Sequence, residues 1–153
     1  IIDLWELQCL NLLFESFDNV FIPEIIYNSE IPEEVKTKVS EFDFKKVQIE
    51  TAIGYEIYFE LTTNPKFKNL SIPDRTAISI AKQEVVFCTS NDGLVRKACE
   101  AFEIEYLGVL GVLKHIYTKN LINKDELIRL SRKLLDTSCY ITELVIENFI
   151  MYL

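Results

Sequence analysis

Short apolar runs that stop at a polar or acidic cluster, each followed by residues at helical spacing, recur along this chain and constrain its fold more than any other feature. The clearest is Val85-Val86-Phe87-Cys88, which Thr89-Ser90-Asn91-Asp92 separates from the amphipathic stretch Gly93 to Phe102. A continuous apolar run of that length reads as a strand buried on both faces, and the polar cluster supplies acceptors for the free amides of a helix start. A similar step opens the chain: Ile1-Ile2-Asp3 reads as the end of a buried strand, and Leu7, Leu10, Leu13, Phe14 and Phe17 mark a helix from Leu4 to Phe17. Asn19-Val20-Phe21-Ile22 is another apolar run, stopped by Pro23, which suits the first turn of a helix carrying Ile26 and Tyr27. Strand, helix, strand order predicts an α/β fold, a mostly parallel central sheet with helices on both faces.

The remaining segments extend that pattern. Ile31-Pro32-Glu33-Glu34 starts a short helix, residues 44–49 alternate well enough for a strand, and Ile53, Ile57 and Leu61 give a helix over 52–61 that Asn64-Pro65 breaks. Ser71 and Asp74 have capping-box spacing, with Ala77, Ile78 and Ala81 continuing the apolar face. Ile104 to Leu107 is a last strand closed by Gly108, and three helices follow: Val109 to Thr118, Lys124 to Leu135, and Ile141 to about Met151. A chain of 153 residues, 49% of them hydrophobic, can bury the core of one domain spanning 1–153.

Several function classes drop out. No apolar stretch approaches the ~20 residues of a membrane span, and the apolar opening lacks a basic leader and a small-residue cleavage site, so a soluble, cytoplasmic protein is expected. Cys9, Cys88, Cys99 and Cys139 are too scattered for a zinc or redox motif. The net charge of -8 argues against a strongly basic nucleic-acid binder, although divalent cations can bridge an acidic pocket to phosphate. His115 is the only histidine, which excludes a two-histidine ribonuclease, and the glycines form no phosphate loop.

Four acids stand at element ends: Asp3, Glu30, Asp74 and Asp92. Ligands of open α/β sheets bind at the carboxyl ends of strands, where Asp3 and the 89–92 cluster are expected to meet, with Asp74 joining from its helix start. Each also has an ordinary explanation as an N-cap, a capping-box acid or a first-turn acid. Together they suit metal-assisted phosphodiester hydrolysis, because Mg²⁺ and Mn²⁺ take carboxylate oxygens. Arg75, Arg96 and Lys97 stand near these acids, either to hold RNA phosphate or to balance charge, and Lys45-Lys46 reads as a solvated strand edge.

These residues, in this order, resemble a PIN domain, the fold of many metal-dependent ribonucleases that include the VapC-like toxins of toxin-antitoxin pairs. Ile1-Ile2-Asp3 is similar to the strand and aspartate that open the family pattern, and the run from Val20 to Tyr27 resembles its strand, proline and helix. The second acid would usually fall at Ser29; Glu30 comes one residue late, a rotation of about 100° on a helix, which leaves Glu30, Glu24 or a lost ligand as alternatives. Asp74 replaces the more usual Glu of the third motif, and Cys88 to Asp92 followed by Arg96-Lys97-Ala98 resembles the last one. The Gly108-Val109-Leu110-Gly111-Val112-Leu113 turn is similar to that of a prokaryotic subgroup.

The resemblance implies a PIN-like three-layer sandwich and a Mg²⁺- or Mn²⁺-dependent endoribonuclease. Asp3, Glu30, Asp74 and Asp92 would be catalytic, the metal would sit on Asp3, Asp74 and Asp92, and Thr89, Asn91 and Arg96 would meet the substrate. It further implies RNA as substrate, an antitoxin protein and a homodimer as partners; the competing expectation is a PIN-like module that binds or assembles without cutting.

Overall fold

The computed structural model describes residues 1–153. The chain is α/β, with ten α-helices and four short strands. Helices α1 (Ile2–Glu6) and α2 (Leu10–Ser16) lead into β1 (Phe21–Pro23), α3 (Glu24–Ser29), α4 (Glu33–Val39) and β2 (Lys45–Val47). Helix α5 (Ala52–Thr63) and a 3-10 turn, Pro65–Phe67, precede α6 (Ile72–Glu84), β3 (Cys88–Thr89), α7 (Gly93–Ala101) and β4 (Tyr106–Leu107). Helices α8 (Val109–Thr118), α9 (Lys124–Lys133) and α10 (Glu143–Met151) close the chain. No helix is long and apolar enough to cross a membrane.

Two expectations are corrected at the chain's start. Residues 1–3 form no strand: Asp3 lies in the first turn of α1, and the Trp5 amide already bonds the Ile1 carbonyl at 2.9 Å. The helix expected over 4–17 is two helices, broken where exposed Gln8 takes a left-handed φ of 60°. The break keeps Leu4, Leu7, Leu10 and Leu13 all buried in one cluster.

The expected parallel pairing is present, in two separate pairs. β1 pairs with β2 from Phe21–Lys45 to Pro23–Val47, and β3 pairs with β4 through Cys88–Tyr106 and Thr89–Leu107. Helix α6 packs on α5 and reaches both β1 and β3, so the two pairs share one covering helix. The run that reads most clearly as a buried strand contributes only Cys88 to β3. Val85 ends α6 in the left-handed region (φ 55°) and is 88% exposed, and Phe87 is 45% exposed. A β-branched residue is strained in that region, so helix termination, not propensity, sets the local conformation.

The apolar interior divides accordingly. One cluster joins α1, α2, β1 and α4 to the closing helices, with Val35, Leu113, Ile116, Leu127, Leu134 and Ile146 fully buried. The other joins α5, α6, β3 and α7 through Leu61, Ile78, Ala98 and Cys99.

Candidate active site

Between β1 and β3 lies a cleft of about 1020 Å³, lined mostly by apolar side chains: Phe21 and Ile22 from one strand pair, Phe87, Cys88 and Thr89 on the side of the other. Asp3, Glu30, Asp74 and Asn91 also line it, whereas Asp92 does not.

Glu30 lines this cleft as the C-cap of α3, and the helix loosens just beyond it. The Glu30 amide bonds the Ile26 carbonyl at 2.9 Å, but the Ile31 amide returns to that same carbonyl at 3.2 Å, a wider loop than the regular i to i+4 ladder. Glu24, the alternative acid, accepts from the Gln48 side chain instead. Burial raises the pKa of Glu30, and the negative charge of Asp74 raises it further. Two carboxylates from α3 and α6 thus stand close enough to repel each other.

Asp74 is fixed by its own helix start. Ser71 donates from Oγ to Asp74 Oδ2 at 2.7 Å and from its amide at 3.4 Å, and the Asp74 amide donates back to Ser71 Oγ at 3.1 Å. The capping-box reading of Asp74 is therefore met together with its place on the cleft. Both accepted bonds fall on Oδ2, so Oδ1 is spared for another partner.

Asp3 occupies the cleft beside Asn91, whose Nδ2 donates to Asp3 Oδ2 at 3.3 Å and to Cys139 Sγ at 3.3 Å. The Asn91 Oδ1 accepts the Val109 amide at 2.9 Å, so one side chain ties the β3 loop to α1, to the start of α8 and to the tail. Cys139 had no signal in the sequence that would bring it here. Its thiol is pushed up to about 11, by burial first and then by Asp3.

Asp92 is spent on α7: its Oδ1 accepts the Leu94 amide at 2.7 Å and the Val95 amide at 3.1 Å, an N-cap. Asn91 and Asp92, though successive, take different partners, Asn91 on the cleft and Asp92 at the α7 start. Asp92, the last acid expected at the site, is off the cleft, and its neighbour Asn91 lines it. Thr89 lines the cleft and is exposed. Arg96 is engaged elsewhere, donating from Nε to the Ser90 carbonyl at 3.3 Å and lying 5.9 Å from the Tyr106 ring centroid. A Cβ on Gly108 would come within 2.4 Å of the Arg96 guanidinium, so that glycine lets Arg96 brace the loop. His115 packs against Phe17 at 4.1 Å and its Nε2 meets the Ser16 carbonyl at 3.0 Å, the structural role expected of a mid-helix histidine.

The donor set suits a hard cation at one place: Glu30 and Asp74, whose mutual repulsion a positive ion would relieve. The expected trio of Asp3, Asp74 and Asp92 is not assembled. No three His, Cys, Asp or Glu side chains gather closely enough to hold an ion together.

A family model described as a PIN domain matches the chain over residues 1–153. No curated protein and no solved structure matches it.

Proposed function

The chain belongs to the PIN-domain family, whose members are generally nucleases, and from that premise we propose that it is a metal-dependent endoribonuclease working at the cleft between β1 and β3. The observation that carries this reading is the Glu30–Asp74 pair, two carboxylates from different elements held close enough for one to raise the pKa of the other. They are the residues that would hold Mg²⁺ or Mn²⁺, with Asp3 as a further acid on the same cleft. The chemistry such an ion supplies when bound is water activation and neutralisation of charge on phosphate.

The chain's own residues do the rest. Burial and the neighbouring Asp74 charge make Glu30 hold its proton more tightly than an ordinary glutamate, and a bound cation would favour its ionised form. Asn91 orients the Asp3 carboxylate and fixes the loop that carries Thr89. Thr89 offers an exposed hydroxyl to RNA, and Arg96 keeps that loop in place. Asp92 acts through the helix it caps.

The finer reading is the toxin of a toxin-antitoxin pair, paired with an antitoxin protein or with a second copy. Exposed Tyr140, Leu144, Met151 and Tyr152 support a partner at α10. A second reading, a PIN-like module that binds without cutting, draws support from the absence of a three-acid cluster. Cleavage of single-stranded RNA in Mn²⁺, alongside calorimetric titration of Mn²⁺, separates the two. The nuclease reading expects cleavage and binding in the wild type, and both to fall at least about 100-fold in Glu30→Gln and Asp74→Asn without unfolding. Undiminished cleavage in both variants, or cleavage in EDTA, overturns it; binding of neither metal nor RNA leaves the module.

A further inference from the structure

Arg75 follows Asp74 directly in the first turn of α6, so a guanidinium is carried by the chain neighbour of a carboxylate on the cleft. From the sequence it could hold phosphate or balance the acids around it. The ion pairs of the chain belong to Lys36, Lys38, Arg129 and Arg132, and the bonds that Asp74 accepts come from Ser71. Arg75 pairs with no carboxylate.

A guanidinium carries five N–H donors in a planar fork. One of them is in use: Nη2 donates to the Lys68 carbonyl at 3.3 Å, beyond the usual range for an N–H to oxygen bond. Nε is buried with no partner, and no other buried side-chain nitrogen or oxygen of the chain is left so. Nη1 has no partner either and is open to solvent. An unbonded donor costs most on a charged group, and this one is held with its outer edge free beside the acids of the cleft.

The surrounding charge has the same sense. Residues 66–75 carry Lys66, Lys68 and Arg75 against one acid, Asp74, in a chain of net charge -8. Lys66 and Lys68 are exposed and, like Arg75, belong to no ion pair. Local cations of this kind are what contact with a phosphate backbone requires, whatever the net charge.

We propose that Arg75 is a substrate-binding residue, whose outward N–H fork holds one phosphodiester of single-stranded RNA beside Glu30 and Asp74, with Lys66 and Lys68 drawing the strand over the start of α6. An arginine fork matches two phosphate oxygens, and a phosphate fixed one residue from Asp74 sets which linkage lies at the carboxylates. The proposal rests on RNA as the substrate, the reading given above, but its test needs neither metal nor cleavage.

The probe is a fluorescein-labelled single-stranded oligoribonucleotide, titrated in EDTA and followed by anisotropy over a series of salt concentrations. Arg75→Ala should bind about tenfold or more weaker, and the slope of log affinity against log salt should fall by about 0.7, one single-strand phosphate contact. Arg75→Lys, a point charge without a fork, should keep the slope and still bind less tightly than the wild type. Arg75→Gln retains a donor for the Lys68 carbonyl and should lose the same slope as Arg75→Ala; it carries the comparison if melting shows Arg75→Ala unfolded. Lys124→Ala at the exposed start of α9, an equal change in net charge, should leave the slope as it is. No binding by the wild type, an unchanged slope in Arg75→Gln, or an equal fall in Lys124→Ala would overturn the proposal. Cleavage in Mn²⁺ with an unchanged slope would sink Arg75 alone, whereas Arg75-dependent binding without cleavage would sink the nuclease reading and uphold Arg75.

Discussion

The two apolar clusters differ in how they are built. The first draws from both ends of the chain: α1 and α2 share with α8, α9 and α10, at the far end of the sequence, a cluster of 17 buried residues. The second is nearly all local, 11 buried residues between Ile57 and Ile104 held by α5 against α6. Long-range packing costs loop-closure entropy that local packing avoids, so the second cluster can form early and alone, whereas the first requires the chain ends to meet. The cleft, with Asp3, Glu30 and Asp74 on its walls, lies along the seam between them.

The largest effects should come from core truncation, which also tests whether the clusters are separable. Leu113→Ala removes a fully buried side chain from the first cluster and Ile78→Ala one from the second, each at an expected cost of about 2–5 kcal/mol. Residue-resolved hydrogen exchange should show Leu113→Ala loosening the chain ends while α5 and α6 keep their protection. Uniform loss of protection in both variants would mean one cooperative unit.

Next in size is the stitch across the seam. Asn91→Ala leaves the Val109 amide without its partner and frees Asp3 and Cys139, an expected loss of about 1–3 kcal/mol in chemical denaturation. Asp92→Ala, one residue away, removes only a helix cap, about 1 kcal/mol. If the second cost matched the first and Asn91→Ala did not weaken communication between clusters, the assignment of Asn91 as their tie would fail.

That adjacent pair also marks what the sequence could and could not disclose. Helix starts were legible because their signals are local: Ser71 with Asp74, the polar cluster before α7, Pro23 before α3, and Val109 to Thr118 as a whole helix. The paired strands were legible in order and direction. The assignment of residues 1–3 and of Val85 to strands failed because an apolar run does not state whether a neighbour will pair with it. At the site, the cleft position of Asp3, Glu30 and Asp74 follows from element ends, whereas the place of Asn91 rather than Asp92 on the cleft depends on which partners two successive side chains take. Cys139 arrives by tertiary packing of the tail, for which no local pattern exists.

The smallest expected effect is the most specific to the seam. Burial and Asp74 raise the pKa of Glu30 above its ordinary 4.5, so folding favours its protonated form. Glu30 therefore contributes stability that is full below pH 4.5 and is lost as pH rises through its folded-state value. Replacing it by glutamine, which is neutral at every pH, should make the variant more stable than the wild type at neutral pH, with the difference shrinking as pH falls toward 4.5. Melting curves of both proteins from acid to neutral pH give that difference directly. Asp74→Asn should remove part of the same dependence, because Asp74 supplies the smaller share of the shift and burial the larger. Mn²⁺ should stabilise the wild type at neutral pH and do little for Glu30→Gln, since an ion between the carboxylates offsets the repulsion that protonation otherwise relieves. A glutamine variant with the wild type's pH profile would mean that Glu30 and Asp74 do not feel each other.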